Sequence, residues 1–262
     1  MLKRRLIPKL QLKAAKFGQK ERMILVTTVQ FDKVREIGDP ISQARIYEAQ
    51  AADELVFLDL DATSHQRSTM VNVVRSAAEQ IFMPITVGGG VRTVADFREL
   101  LVNGADKVSI NTAAVRTPEL IREASAAFGA QCVVVSIDFK READGSYRAW
   151  TEGGKQRTEL DPVAWAQESE RLGAGELMLT SIDRDGGGQG LDLEIIQRIT
   201  QAVSVPVIAG GGCGLAKHFV EGFQEGGADA VSAGTFFCFK DQNPMQTRAH
   251  IRNAGIPIRL HT

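Results

Sequence analysis

The sequence is poor in the residues that mark several classes of protein. It has 3 cysteines, 4 histidines and 2 tryptophans among 262 residues. Cys132, Cys213 and Cys238 are too far apart for a disulfide framework or a metal-ligand motif, so a reducing cytoplasm is the expected location. We expect no metal and no other cofactor, because the chain has no ligand cluster and no G-x-G-x-x-G turn.

An excess of charge of one sign is also missing, as are long apolar runs. Lys and Arg total 31 and Asp and Glu 32, which leaves a formal net charge of -1 at pH 7. This balance gives no electrostatic reason to expect a nucleic acid or an anionic membrane as a partner. No apolar run reaches the length that crosses a bilayer.

Apolar runs and helical segments alternate along the chain. Runs rich in branched apolar residues predict buried parallel strands at 5–10, 55–60, 84–87, 106–110, 132–138, 176–181, 205–209 and 229–233. Helical spacing predicts helices at 39–51, 68–81, 93–103, 117–128, 161–172, 192–202, 215–225 and 243–254. Three of these helices are expected to begin with a capping residue and proline: Asp39-Pro40, Thr117-Pro118 and Asp161-Pro162.

Eight strand-helix units in a chain of this length predict one α/β domain. We expect residues 1–262 to form a closed (β/α)8 TIM barrel with right-handed crossovers. A doubly wound open sheet is the rival architecture, but it usually has fewer strands and a single Gly-rich turn.

Three sequence segments recur at a separation of about 122 residues, which indicates an internal repeat. The pairs are DELVFLDLDAT (53–63) with GELMLTSIDRDG (175–186), MPITVGGGV (83–91) with VPVIAGGGC (205–213), and GADKVSINT (104–112) with GADAVSAGT (227–235). We therefore predict two half-barrels, at about 1–127 and 128–262.

The repeat also pairs Gln11, at the end of the first strand, with Asp138, at the end of the fifth. In a barrel these positions face each other across the carboxyl-terminal mouth, where such enzymes carry out their chemistry. Two carboxylates there would suit paired acid and base catalysis, but an amide does not titrate in the working range.

Two glycine-rich turns, Gly88–Gly90 and Gly210–Gly212, follow the third and seventh strands. Such turns let backbone N–H groups approach an anion closely. Two equivalent turns on opposite sides predict a ligand with a phosphate at each end. The predicted phosphate-binding residues are Gly89, Gly90, Asn111, Thr112, Gly211, Gly212, Gly234 and Thr235.

Long ordered motifs carry a resemblance to a known family. They are GDP (38–40), DELVFLDLDA (53–62), TVGGGV (86–91), GADKVSINTAAV (104–115), VVVSIDFKR (133–141), GAGELMLTSIDRDG (173–186) and GADAVSAGTFF (227–237). Over essentially its whole length the chain resembles the cyclase subunit of imidazole glycerol phosphate synthase, from histidine biosynthesis (the HisF family). The resemblance implies a heterodimer with a glutaminase, whose ammonia passes through the barrel to a linear substrate with two phosphates.

The resemblance also assigns residues at the reaction face. Asp138 matches the family's acid on the fifth strand, whereas Gln11 replaces its acid on the first. Asp183, Asp185 and Gly186 match substrate-binding residues of the family. Further departures surround them: Thr27 stands where a loop lysine is expected, Gly187 where a threonine is expected, and Asp61 where histidine-pathway members carry threonine.

The other end of the predicted barrel keeps the family's pattern. Arg5, Glu54, Lys107 and Glu176 match a ring of four charges that guards the ammonia entrance in the family. Their alternating signs would suit a planar salt-bridged gate. Ordinary charged residues at a barrel floor, which stabilise the fold, are the alternative.

A kept gate beneath an altered mouth favours a barrel that still conducts ammonia but serves a different acceptor. The chain also resembles divergent members of the family that carry an LDLDAT-like run (58–63) and are associated with surface-polysaccharide pathways. This resemblance implies the leading interpretation, in which an ATP-dependent sugar amidotransferase uses the ammonia to amidinate a surface-polysaccharide sugar. One alternative is a working cyclase, in which Asp138 suffices or Asp61 replaces the missing acid. The other is a non-catalytic scaffold that binds a phosphorylated small molecule.

Overall fold

The computed structural model of the chain describes residues 3–17, 20–62, 70–239 and 242–259. The strands in these residues are Arg5–Phe17 (β1), Lys20–Thr27 (β2), Arg35–Gly38 (β3), Leu55–Asp59 (β4), Ile85–Gly88 (β5), Lys107–Ile110 (β6), Val133–Arg141 (β7), Tyr147–Thr151 (β8), Gln156–Arg157 (β9), Glu176–Ser181 (β10), Val207–Gly210 (β11) and Ala230–Ala233 (β12).

Helices alternate with these strands. They are Pro40–Ala49 (α1), Val71–Ala78 (α2), Val94–Val102 (α3), Thr112–Arg116 (α4), Glu119–Phe128 (α5), Pro162–Leu172 (α6), Leu193–Ala202 (α7), Ala216–Gln224 (α8), Thr235–Phe239 (α9) and Pro244–Asn253 (α10), with a 3-10 turn at Ala130–Cys132. Within the described ranges, none of the helices is long and apolar enough to cross a membrane.

Eight parallel strands close into a barrel. The order is β1-β4-β5-β6-β7-β10-β11-β12, and β12 pairs with β1 to complete the circle. The predicted (β/α)8 barrel is therefore confirmed, and each of the eight predicted strands overlaps a barrel strand. Parallel strands joined by helices place all of their carboxyl ends at one mouth of the barrel.

Two barrel strands run beyond the mouth and turn back as hairpins, which the sequence did not predict. β1 pairs antiparallel with β2 from Gln11 to Phe17, and β7 pairs antiparallel with β8 from Asp138 to Arg141. Leu12 and Leu25 are buried at the base of the first hairpin. Thr27, which stands where the family resemblance leads one to expect a loop lysine, is the last residue of β2.

Backbone contacts recur at the spacing of the sequence repeat. Ile85 N–H donates to Asp106 at 2.8 Å, and Val207 N–H donates to Asp229 at 3.1 Å. At the helix starts, Asp39 accepts from Ser42 N–H and Asp161 accepts from Val163 N–H, so both predicted caps are confirmed.

The predicted cap at Thr117-Pro118 is wrong. Thr117 follows the last residue of α4, and α5 begins at Glu119 without a capping side-chain hydrogen bond. The short helix α4 ends at Arg116, so Thr117 is its C-cap residue. The N-cap residue of α5 is Pro118 instead.

The apolar core has two parts. The larger part lies between the barrel wall and the surrounding helices. The smaller part fills the inside of the barrel with six buried side chains: Ile7, Val56, Val134, Met178, Ile208 and Ala230. This luminal layer separates the amino-terminal end of the barrel from its mouth.

Candidate active site at the barrel mouth

The four predicted gate residues form a closed ring of ion pairs at the amino-terminal end of the barrel. Arg5 contacts Glu54 at 2.8 Å and Glu176 at 2.6 Å. Lys107 contacts the same two carboxylates at 3.0 Å and 2.8 Å. Each carboxylate therefore bridges both cations, and the signs alternate around the ring.

Burial and ion pairing have opposite effects on the pKa of Glu54 in this ring. Burial alone would raise the pKa of Glu54, but Arg5 and Lys107 outweigh it and hold that pKa below its usual value. The side chain of Lys107 is 19% exposed, whereas those of Arg5, Glu54 and Glu176 are 5–9% exposed. Lys107 is thus the member of the ring that solvent reaches most.

One face of β1 connects the ring to the mouth. Side chains alternate along a strand, so Arg5, Ile7, Lys9 and Gln11 share the luminal face. Lys9 is buried between the apolar layer and the mouth. Sequence reasoning missed this lysine, although its even spacing from Arg5 and Gln11 was a signal that could have found it.

The side chain of Gln11 is hydrogen-bonded to another residue of the mouth. Its amide nitrogen donates to the hydroxyl of Thr28 at 3.0 Å, and this hydroxyl donates to Asp185 Oδ2 at 2.8 Å. All three side chains are buried. Thr28 comes next to the end of β2, so the unpredicted hairpin brings it to the mouth. The amide at position 11 therefore acts on the carboxylate of Asp185 through one hydroxyl.

Asp138 lies across the mouth, where Asn111 Nδ2 donates to its Oδ2 at 2.8 Å. Withdrawal from water raises the pKa of Asp138 to about 6, with a smaller raising effect from Asp185. Lys9 and Asn111 oppose this rise. A carboxyl group with this pKa can both hold and release a proton close to neutral pH.

Asp185 is the second carboxylate of the mouth. Burial raises its pKa, whereas Lys9 and the hydrogen bond from Thr28 favour the ionised form. Lys9 Nζ lies 3.9 Å from Asp185 Oδ1. Asp138, Asp185 and Lys9 thus form a buried charged cluster at the mouth, although position 11, where the family resemblance leads one to expect a carboxylate, has an amide.

The glycines of the two turns make room for neighbouring backbone. A Cβ on Gly89 would lie 2.4 Å from the carbonyl oxygen of Asp59, and one on Gly211 would lie 2.5 Å from that of Ser181. Both glycines also have positive φ. Barrel packing thus requires these glycines whether or not a ligand binds, so their presence alone does not mark a phosphate site.

The predicted phosphate residues of the second half line one pocket. Gly211, Gly212, Gly234 and Thr235 surround it, together with Gly186 and Asp185 of the loop after β10. Lys9 reaches the same pocket. Backbone N–H groups and the hydroxyls of Ser232 and Thr235 could contact an anion there.

In the first half of the chain, the residues that correspond in the repeat to this pocket are arranged differently. Asn111 binds Asp138, and the hydroxyl of Thr112 accepts from Glu152 N–H at 2.9 Å. Gly89 and Gly90 are half-buried next to them. The segment 63–69, which includes His65, lies outside the described residues.

Two further carboxylates near the ends of barrel strands, Asp183 and Asp59, accept hydrogen bonds from backbone N–H groups. Asp183 is exposed, and its carboxylate accepts from Arg141 N–H at 2.9 Å, so it does not join the mouth cluster. Asp59 accepts from the N–H groups of Asp61 and Ala62 and shapes the turn after β4. Among the described residues, no group of His, Cys, Asp and Glu could hold a metal ion.

The charged ring, the apolar lumen and the buried carboxylates at the mouth belong to a (β/α)8 barrel whose mouth is suited to acid-base chemistry. Comparison with known proteins agrees with this class. Residues 5–243 match the model of a family described as histidine biosynthesis protein. The chain therefore belongs to the histidine biosynthesis protein family, within the HisF group.

Named relatives cover almost the whole chain. A protein of Prochlorococcus marinus (strain MIT 9313), provisionally named imidazole glycerol phosphate synthase subunit hisF2, is 50% identical over 99% of each chain. Imidazole glycerol phosphate synthase subunits HisF of Geobacillus kaustophilus (strain HTA426) and Geobacillus thermodenitrificans (strain NG80-2) are 47% identical over 99% of this chain and 100% of theirs.

Proposed function

We propose that the chain is the ammonia-using barrel subunit of a glutamine-dependent synthase, paired with a glutaminase. For the acceptor we favour the ribulosyl bisphosphate of imidazole glycerol phosphate synthase. The products would be imidazole glycerol phosphate and aminoimidazole carboxamide ribotide. Similarity over nearly the whole chain to subunits of that name supports this acceptor, ahead of the sugar acceptor favoured by sequence reasoning.

The observation that carries the proposal is the pair of carboxylates at the mouth. Asp138 and Asp185 both have raised pKa values, Asp138 at about 6. One can hold a proton while the other accepts one, as acid-base catalysis of ring closure requires. In this scheme Asp185, oriented by Thr28, takes over the role lost at Gln11, and Asp61 is not needed.

The lumen provides the ammonia route in this scheme. Ammonia is small and uncharged, so the apolar layer around Ile7 and Met178 opposes it less than it opposes ammonium. The ring is closed in the present arrangement, so passage requires one member to move. Lys107, the most exposed member, is the group that would swing aside and restore the ring afterwards.

Phosphate contacts would hold the acceptor over the carboxylates. The pocket around Gly211, Gly212 and Thr235 would take one phosphate. Its opening borders Asp185, so a ligand held there reaches the proposed acid-base pair. The second phosphate would lie near Gly89 and Gly90 on the opposite side of the mouth.

A direct assay tests this function. Purified chain, ammonium salt and the ribulosyl bisphosphate should give imidazole glycerol phosphate. Asp138→Asn and Asp185→Asn should each lower turnover by about a hundredfold, because each removes one proton carrier. Asp183→Asn is the matched control, since its carboxylate binds the backbone of Arg141, and it should retain most of the turnover.

A second acceptor is favoured by one observation, the amide at Gln11. In that case a surface-polysaccharide sugar, bound by a separate ATP-dependent amidotransferase, would receive the ammonia. Absence of imidazole glycerol phosphate with the wild-type chain, together with transfer of glutamine-derived nitrogen to such a sugar in the three-protein mixture, would replace the first acceptor by the second.

A further inference from the structure

Lys9 is a buried charged group near the mouth that neither the family resemblance nor the proposed function uses. Its side chain is 3% exposed and lies on the luminal face of β1, two residues before Gln11. Below it, towards the ring, lies the apolar layer that contains Ile7. A lysine is rarely buried this deeply unless a charge or a ligand compensates it.

The compensation within the protein is incomplete. Lys9 Nζ lies 3.9 Å from Asp185 Oδ1, which is an electrostatic contact but beyond hydrogen-bond distance. Within the described residues Nζ forms no hydrogen bond to another side chain or to the backbone. The amine borders the pocket formed by Gly211, Gly212 and Thr235. Its donors are therefore available to something that enters this pocket.

A simple phosphate anchor does not fit this setting well. Asp185 lines the same pocket, and Asp138 also interacts electrostatically with Lys9. Two carboxylates beside one ammonium weaken its attraction for an anion, so the backbone N–H groups of the pocket, and not Lys9, would hold a phosphate. The neighbours of Lys9 are better suited to moving protons to and from the amine than to attracting an anion.

We propose that Lys9 forms a Schiff base with the carbonyl carbon of a phosphorylated ketose whose phosphate lies in the pocket of Gly211, Gly212 and Thr235. The backbone N–H groups of the pocket hold the phosphate, and Asp185 and Asp138 serve the amine. Withdrawal from water disfavours the ammonium form of a lysine, and an adjacent carboxylate can take the proton that the amine must lose.

The reaction balances without a further reactant. Nζ gives one proton to Asp185, and its lone pair forms the C–N bond as the carbonyl π pair moves to oxygen. That oxygen takes a proton from Asp138, which enters the reaction protonated. Asp138 then regains a proton from the nitrogen. The C–O bond then breaks, the nitrogen lone pair forms C=N, and oxygen leaves as water with the proton that Asp185 returns. Ammonium and ketone thus become iminium and water.

This inference goes beyond the proposed function and does not depend on it. Imine formation needs neither glutaminase nor ammonia, and any phosphorylated ketose small enough for the pocket serves as a probe. A chain that forms the imine but no imidazole glycerol phosphate, or the reverse, separates the two proposals.

Reductive trapping tests whether Lys9 forms the imine. The full chain is incubated with dihydroxyacetone phosphate and sodium borohydride, and the modified lysine is mapped by mass spectrometry of peptides. The adduct is expected on Lys9 at about tenfold or more the level found on exposed Lys217, because the bound phosphate places the carbonyl beside the amine. Glycerol 3-phosphate, which lacks the carbonyl, should suppress labelling of Lys9.

Variants sharpen the result. Lys9→Arg keeps the charge but cannot form the imine, so it should lose the adduct and still bind glycerol 3-phosphate. Lys13→Arg, on the same strand, is the matched control and should label like the wild type. Labelling of Lys9 no higher than that of Lys217 in the wild type overturns the proposal without any variant. Loss of glycerol 3-phosphate binding in folded Lys9→Arg, without trapping in the wild type, would identify an anion anchor instead.

Discussion

The amide nitrogen of Gln11 donates a hydrogen bond of 3.0 Å to the hydroxyl of Thr28. The same hydroxyl has one proton, which it gives to Asp185. A carboxylate at position 11 would compete with Asp185 for that proton and would add a third acid to the mouth. The amide therefore fits its surroundings, and its presence is part of how Asp185 is held.

Gln11→Glu tests this relationship with nearly unchanged side-chain size. The added carboxylate should repel Asp185 and destabilise the fold by about 2 kcal/mol at about pH 8, with a smaller loss at about pH 4, where carboxyls protonate. Gln11→Met is the control, which loses a hydrogen bond without adding charge, about 1 kcal/mol at both pH values. Urea unfolding measures both. Equal, pH-independent losses in the two variants would refute the role given to the amide.

Asp138 should make the stability of the protein depend on pH. Its pKa is raised from an ordinary value of 3.8 to about 6. In the window between pH 3.8 and about 6, the folded chain still binds a proton that the unfolded chain has lost. The free energy of unfolding therefore falls as the pH rises through this window. Asp138→Asn should reduce this fall and leave the part that the raised pKa of Asp185 contributes, and urea midpoints across the window measure the difference.

Asp144→Asn is the control for that series. Asp144 is exposed, and hydrogen bonds from Ser146 lower its pKa, so its titration lies below the window. This variant should keep the slope of the wild type. Parallel curves for wild type and Asp138→Asn would show that Asp138 does not titrate within the window.

The barrel itself could be predicted from sequence because its signals are local. Branched apolar runs and capping pairs such as Asp161-Pro162 each specify one element, and the repeat supplies their order. The hairpin of β1 and β2 could not be predicted, since the part of it in which Ala15 pairs with Arg22 and Phe17 pairs with Lys20 lacks apolar alternation. Without that hairpin, Thr28 had no reason to be placed beside Gln11.

The candidate site was predicted in part for the same reason. Asp138 and the ring of four charges follow from strand ends and starts, which topology fixes. Asp183 and Asp185 have the same spacing signal, yet only Asp185 turns into the mouth, because Asp183 binds the backbone of Arg141. The different orientation of Asp183 depends on the continuation of β7 past the mouth, and no local sequence pattern predicts that continuation.

Breaking the charged ring should be costly. Glu54→Gln leaves Arg5 and Lys107 each short of one anionic partner in a buried setting, and a loss of about 3 kcal/mol is expected. Glu168→Gln, which removes an exposed ion pair with Arg171, should have no measurable effect. Chemical denaturation compares them. A loss as small as that of Glu168→Gln would mean that the ring is not a coupled unit.

Thr28 should be needed for its hydroxyl. Thr28→Val keeps the shape but leaves Asp185 without its hydrogen bond, so the pKa of Asp185 should rise further and the turnover at neutral pH should fall about tenfold. Thr28→Ser retains the hydroxyl and should restore most of the turnover. The pH profile of ammonia-dependent turnover distinguishes the two. A Thr28→Val profile that matches the wild type would exclude the hydroxyl from the mechanism.

The central claim is that ammonia enters through the ring and reacts at the mouth between Asp138 and Asp185. In the most direct measurement, the chain and the proposed glutaminase partner receive amide-labelled glutamine, the ribulosyl bisphosphate and excess unlabelled ammonium. We predict imidazole glycerol phosphate whose new nitrogen comes predominantly from glutamine, and loss of this preference in Lys107→Met. Product whose nitrogen reflects the bulk ammonium pool, or no product at all, would contradict the account.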